Sequence, residues 1–193
     1  MPWEKQFDVD VALQKAGETF WSHGYEATSV RDLLGAMGIQ KGSFYDTYGS
    51  KHEAYLASLD KYVDDHIDIF EQVSTDLSPR EALTAQINWI YEACIGSKGS
   101  RGCMVVNGAL ELAPSDPEAK KRVLNAMSRH EQVHVNLIRQ GQAEGDIDKN
   151  IDALKIGRAM LGLVFGMRVY TRAGATKETI RALADQAIEL LGS

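Results

Sequence analysis

The chain has 193 residues, 44% hydrophobic and 25% charged, with a formal net charge of −6. That length and balance fit one or two folded domains with a sizeable core, and the acidic excess excludes a surface that holds nucleic acid everywhere by charge, so any such contact must be local and geometric. Two cysteines, Cys94 and Cys103, are too few for a disulfide framework, the N-terminus lacks a basic segment followed by an apolar one, and the longest apolar run, residues 159–167, is too short to span a bilayer; a cytoplasmic protein without a membrane partner is expected.

In chain order, residues 5–24 read as a first helix, with Val9, Leu13, Ala16 and Phe20 on one face and Gly24 at its end. The stretch 28–51, TSVRDLLGAMGIQKGSFYDTYGSK, then reads as two short helices at 29–36 and 40–48 about a tight turn. Thr28 and Ser29 offer N-cap oxygens, and Ser29 with Asp32 fits a capping box. Val30, Leu33, Leu34 and Met37 share a face, and Gly38 permits the left-handed backbone of a sharp turn. This is a helix-turn-helix pattern, whose second helix enters the DNA major groove. Ser50 caps a fourth helix to about residue 74, with Glu53 as its capping-box partner. Ser78-Pro79-Arg80-Glu81 opens a fifth helix to about residue 95. A loop at 96–100 leads to a short helix at 103–112, which Pro114 and Pro117 end; Ser115 with Glu118 caps a long helix to about 143. The last two helices cover 152–172 and 177–191. No strand-like alternation of useful length occurs, so the fold class is all-α with about nine helices.

The eighth helix is apolar nearly all round between residues 159 and 167 and carries Gly157, Gly162 and Gly166. A helix apolar on all sides must be covered on all sides. The simplest cover is a second copy, giving a homodimer through four helices, two copies of the eighth and ninth.

Gly24-Tyr25, Thr28-Ser29-Val30, and Gly38-Ile39-Gln40-Lys41-Gly42-Ser43-Phe44-Tyr45 before Tyr48-Gly49-Ser50-Lys51 resemble the TetR family of bacterial transcriptional regulators, closely over about residues 7–55. Arg101-Gly102-Cys103 with Asn107 and Glu111-Leu112 is similar to a motif of one subgroup of that family. The resemblance implies a helix-turn-helix DNA-binding domain at 1–50 and a helical ligand-binding and dimerisation domain at 51–193. It also implies a homodimer on a palindromic operator, a repressor released when a small molecule enters the second domain. The chemistry of the stretch suits this. Gly42 lets the helix backbone approach a phosphate, and Lys41 and Lys51 are cations near the groove edges. Tyr45 offers a hydroxyl to phosphate and a ring to a thymine methyl, while Gln40, Ser43 and Thr47 are neutral readers of base edges. Thr28, Ser29 and the amides of the second helix suit another phosphate. Phe44 and Tyr48 read as core. Two features depart from the family pattern. Residues 1–55 hold five lysines and arginines against eight acids, a balance of −3. Asp46 lies within the reading helix, where it accepts from a cytosine amine, pairs with a lysine or repels phosphate.

The second domain holds three further constellations. His130-Glu131-Gln132-Val133-His134 matches the H-E-x-x-H zinc-hydrolase signature, but Leu137 and Gln140 stand where a metzincin has glycine and a third histidine. Helical histidines facing solvent or a pocket wall are the simpler reading, and no catalytic, metal or cofactor role is assigned. Cys103, at a helix start beside Arg101, suits an electrophile- or oxidant-sensing thiolate, against the alternative of a small buried apolar residue. The effector pocket is expected among the fourth to eighth helices, lined from Trp89, Cys103, Met104, Met127, His130, Phe165, Met167 and Tyr170.

Overall fold

A computed structural model describes residues 7–192. Among them are nine α-helices: α1 Val9–His23, α2 Val30–Met37, α3 Lys41–Tyr48, α4 Lys51–Val73, α5 Pro79–Ile95, α6 Met104–Glu111, α7 Pro117–Glu144, α8 Ala153–Arg172 and α9 Lys177–Glu189, with a 3₁₀ turn at Gly99–Arg101. The described residues contain no strand, and no helix among them is long and apolar enough to cross a membrane. The first two residues expected in the first helix, 5 and 6, lie outside the described residues.

Local chemistry sets most boundaries. The Asp8 carboxylate accepts from the amides of Asp10 and Val11 and starts α1. Ser29 and Asp32 form the reciprocal capping box of α2, and Gly38 ends it in the left-handed region at φ 71°. Ser78 and Glu81 form the same box on α5. Ser50 caps α4 by accepting from the Glu53 amide, but the Glu53 side chain lies toward His52. One expectation is corrected. Asp116, not Ser115, caps α7, its carboxylate accepting from the Glu118 and Ala119 amides. Pro117 takes the first helical position, so the cap falls on the residue just before it.

Two apolar clusters result. The first joins α1 to α4 with α6 and the start of α7 through Ala16, Phe20, Leu33, Phe44, Tyr55 and Met104. The second joins α5, α7, α8 and α9 through Leu83, Ile87, Ile138, Met160, Met167 and Ala184. Helix α4 enters both, with Leu59 in the first and Phe70 in the second, so one rigid element ties the two ends of the molecule. Helix α8 buries Gly157, Met160, Val164 and Met167 within the chain and leaves Ala159, Gly162 and Val169 open.

Candidate functional site

Helix α3 presents its polar face outward. Gln40, Lys41, Gly42, Tyr45 and Asp46 are exposed, Ser43 and Thr47 half-buried. Phe44 is fully buried, and Tyr48 packs against the same core with its hydroxyl donating to the Val9 carbonyl at 3.1 Å. Those two side chains fix how α3 rolls, and so which residues look out. Gln40 is the N-cap but its side chain makes no cap hydrogen bond. The first amide with an acceptor inside the helix is that of Phe44, which donates to the Gln40 carbonyl. The amides of Lys41, Gly42 and Ser43 therefore point outward as a positive helix end. A β-carbon built on Gly42 would meet nothing within 4 Å, so nothing inside the chain asks for glycine there. The Lys51 ammonium lies 4.2 Å from the centre of the Tyr25 ring, which holds the cation at the rim of this face. Asp46 pairs with no lysine or arginine among the described residues, so the ion pair open to it is not formed. Arg31, which the sequence did not single out, is exposed in the first turn of α2. Its signal was available: it was one of five cations in an acidic domain.

Of the two phosphate contacts expected before α2, Thr28 is corrected and Ser29 has its hydroxyl engaged within the chain. Thr28 is only 1% exposed, and its hydroxyl donates to the Gly24 carbonyl at 2.6 Å, closing the turn from inside. Ser29 is exposed, but its hydroxyl donates to the Asp32 carboxylate at 2.6 Å. That carboxylate, held below its usual range by the Ser29 bonds, already compensates the positive end of α2.

The reading helices are tied to the second domain by a carboxylate. Glu111, in the last turn of α6, accepts from the amides of Tyr25 and Glu26 at 3.0 and 2.8 Å. Gly24 sits beneath it at φ 89°, where a β-carbon would come 3.0 Å from the Glu111 carboxylate. His52 at the start of α4 bonds Asp116 at the start of α7 and adds a second tie.

In the second domain the expected pocket residues divide among several places. Met104 lines a cavity of about 140 Å³ between α1 and α4, with Trp21, Tyr62 and His66. Cys103 lines another of about 280 Å³ between α6 and α8, with Val106, Leu110 and Arg168. Trp89 stands edge-on to His66 and Phe70. Met127 and Phe165 are half-buried against the first apolar cluster, and Met167 is fully buried in the second. Tyr170 is 49% exposed on the outer side of α8, so it is corrected from pocket to surface. Arg101 does not serve the Cys103 thiol; its guanidinium stacks over Trp21.

The H-E-x-x-H stretch does not bring its three polar side chains together. His130 and His134 are buried, with their rings against Phe70, and the His130 Nδ1 donates to the Ala126 carbonyl. Glu131 turns away to bond Arg158 at 3.1 Å. The one group of three ligating side chains near a common point, among the described residues, is His52, Glu53 and Glu118 elsewhere on the surface. Burial holds His66 and His134 down to about 4 and lowers His130 as well, so all three are neutral at ordinary pH.

Comparison with known proteins places this geometry. Residues 12–57 match the family described as bacterial regulatory proteins, tetR family, and residues 80–187 match the tetracyclin repressor-like C-terminal domain. The HTH-type transcriptional repressor ComR of Escherichia coli (strain K12) is 29% identical over 188 residues, 96% of this chain and 90% of ComR. Among solved structures, a cysteine mutant of the TetR family transcriptional regulator CifR, complexed with a 26-base-pair double-strand operator DNA, superposes with a TM-score of 0.85 at 26% identity, over 96% of this chain and 97% of that one. A TetR-type regulator from Rhodococcus sp. RHA1 is 30% identical, with a TM-score of 0.61, over 94% and 97% of the two chains.

Proposed function

The chain belongs to the TetR family of bacterial transcriptional regulators, and we propose that it is an operator-binding repressor that works as a homodimer and is released by a small molecule. The observation that carries this is the outward face of α3: an uncapped positive end, a glycine with no internal reason, and Gln40, Lys41 and Tyr45 exposed beside it. Backbone amides, Lys41 and Tyr45 hold phosphate, with Lys51 and Arg31 at the rims. Gln40, Ser43 and Thr47 read base edges. Asp46 accepts from a cytosine amine, since no lysine neutralises it.

The dimer forms through α8 and α9. The open side of α8 carries Gly162 and Gly166, where an added β-carbon would meet nothing within 4 Å. Small residues without an internal reason suit the close approach of a partner helix. The operator is then a palindrome with half-sites about 34–36 Å apart. Ligand in the second domain shifts α6 or α4, and Glu111 passes the movement to the α1–α2 turn. The molecule divides functionally near residue 50, with α4 as the shared strut. A gel-shift with the DNA flanking the protein's own gene tests the reading. Retention of that DNA, reversed by Lys41→Ala, is expected; no retention at low salt refutes it.

A second reading concerns Cys103, whose place on the α6–α8 cavity favours it as an oxidant- or electrophile-sensing thiol. It is 7% exposed and lines that cavity, which offers a reagent a route to it. Hydrogen peroxide should then release wild-type protein from DNA and leave Cys103→Ser bound.

A further inference from the structure

Helix α8 carries one charge on its inner side. Arg168 is 5% exposed, yet among the described residues no carboxylate pairs with it and no carbonyl or side chain accepts from it. Several other arginines at helix contacts have partners, although one buried nitrogen of Arg101 has none. The Arg80 guanidinium donates to the Asp146, Leu191 and Gly192 carbonyls, Arg122 meets Asp60, Arg129 meets Asp64, and Arg181 meets Asp185. The Arg168 guanidinium nitrogens are not sealed off but reach the cavity, where an outside partner can meet them. The side chain borders the 280 Å³ cavity between α6 and α8, with Val106 and Leu110 as apolar walls, Val169 at the rim toward the open side of α8, and Asn107 and Arg172 as further polar neighbours. On its inner side lie Tyr62, His66 and His130, close enough to feel its charge and all uncharged themselves.

We propose that this cavity binds a small organic carboxylate, whose two oxygens take the Arg168 guanidinium and whose apolar body fills the space against Val106, Leu110 and Val169. This rests on the reading of the chain as a ligand-released regulator and supplies the chemical class of the ligand. The site also explains how occupancy is felt. The cavity lies under α6, and the far end of α6 holds Glu111 against the α1–α2 turn.

The test uses the full chain with benzoate and its neutral isostere benzamide. Calorimetry and melting curves should show benzoate binding at millimolar concentration at least about tenfold more tightly than benzamide. R168M should lose that preference while melting, without ligand, close to wild type, because the change removes no hydrogen bond or ion pair within the chain. R168K should keep a weaker preference. Equal binding of the two compounds, no benzoate binding, unchanged benzoate binding by R168M, or a sharp fall in its ligand-free melting temperature each overturns the proposal. The same samples go into the gel-shift. Wild type that retains DNA but ignores benzoate refutes the carboxylate site alone, whereas failure to retain DNA refutes the regulator reading itself.

Discussion

Gly42 stands in the first turn of an eight-residue helix, where glycine is a poorer helix former than alanine by up to about 1 kcal/mol. Nothing inside the chain would obstruct a methyl group there. Gly42→Ala should therefore leave the free protein as stable or slightly more so, and weaken operator binding by pushing the backbone off its phosphate. Melting curves and fluorescence anisotropy separate the two effects; gained stability with unchanged DNA affinity would remove Gly42 from the interface. The buried histidines allow a second prediction at this scale. In the unfolded chain His66 and His134 take protons at the usual 6.5, but in the folded chain only near 4. Between those values the unfolded state binds more protons, so the share of stability these histidines control is fully present above about pH 6.5, declines as pH falls to about 4, and changes no further below. Urea unfolding as a function of pH should show this, with these two histidines giving a slope approaching two protons per chain in the middle of the window and His130 adding to it. His134→Leu should make the slope shallower by about one proton. A slope that is flat between pH 6.5 and 4 rules out the buried neutral histidines.

The short α6 helix ties the two halves together. Its last turn offers a charged acceptor to two amides of the α1–α2 turn, and such a bond contributes about 1.5–3 kcal/mol when well formed. Glu111→Ala should lower the urea midpoint accordingly and free the reading head from the second domain, so that whatever ligand releases wild-type protein from DNA has less effect on the variant. Full ligand release with unchanged stability would assign the coupling to α4 alone. This tie shows where sequence reasoning reaches its limit. Caps were readable because they are local: Ser29 with Asp32, and Ser78 with Glu81, occupy the spacing that helix geometry requires. Ser115 misled because it has the right distance to Glu118, while Pro117 decides the register. The apolar side of α2 and the burial of Phe44 follow from periodicity in the same way. The Glu111 contact joins residues 86 apart along the chain, and no local pattern announces it. The cavity suffers more, since Met127, Phe165 and Met167 have the same chemistry whether they line a hole or fill one. Arg168 was visible only as the residue that closes an apolar run; its meaning depends on which side of α8 faces inward.

At the scale of the whole molecule, shape and charge pull apart. The chain carries −6, so its net charge gives no long-range attraction to DNA, and in the proposed dimer affinity comes from two reading heads docking together. A variant that separates the heads should lose far more than half the binding. Gly162→Arg places a long cation on the open side of α8, where the proposed partner helix approaches within glycine distance. Sedimentation should find it monomeric with an unchanged helical spectrum, and operator retention should fall by orders of magnitude. Salt dependence then measures how few charges each head uses. The described residues offer Arg31, Lys41 and Lys51 on or beside the α3 face, which neutralise two to three phosphates per subunit. Counting both subunits at about 0.9 per phosphate, log affinity should fall against log salt with a slope near −4 to −5. Lys41→Ala should reduce its magnitude by close to two, one for each subunit. A measured slope near −10 would require more cations than the head presents, and would move the principal DNA contacts away from α3.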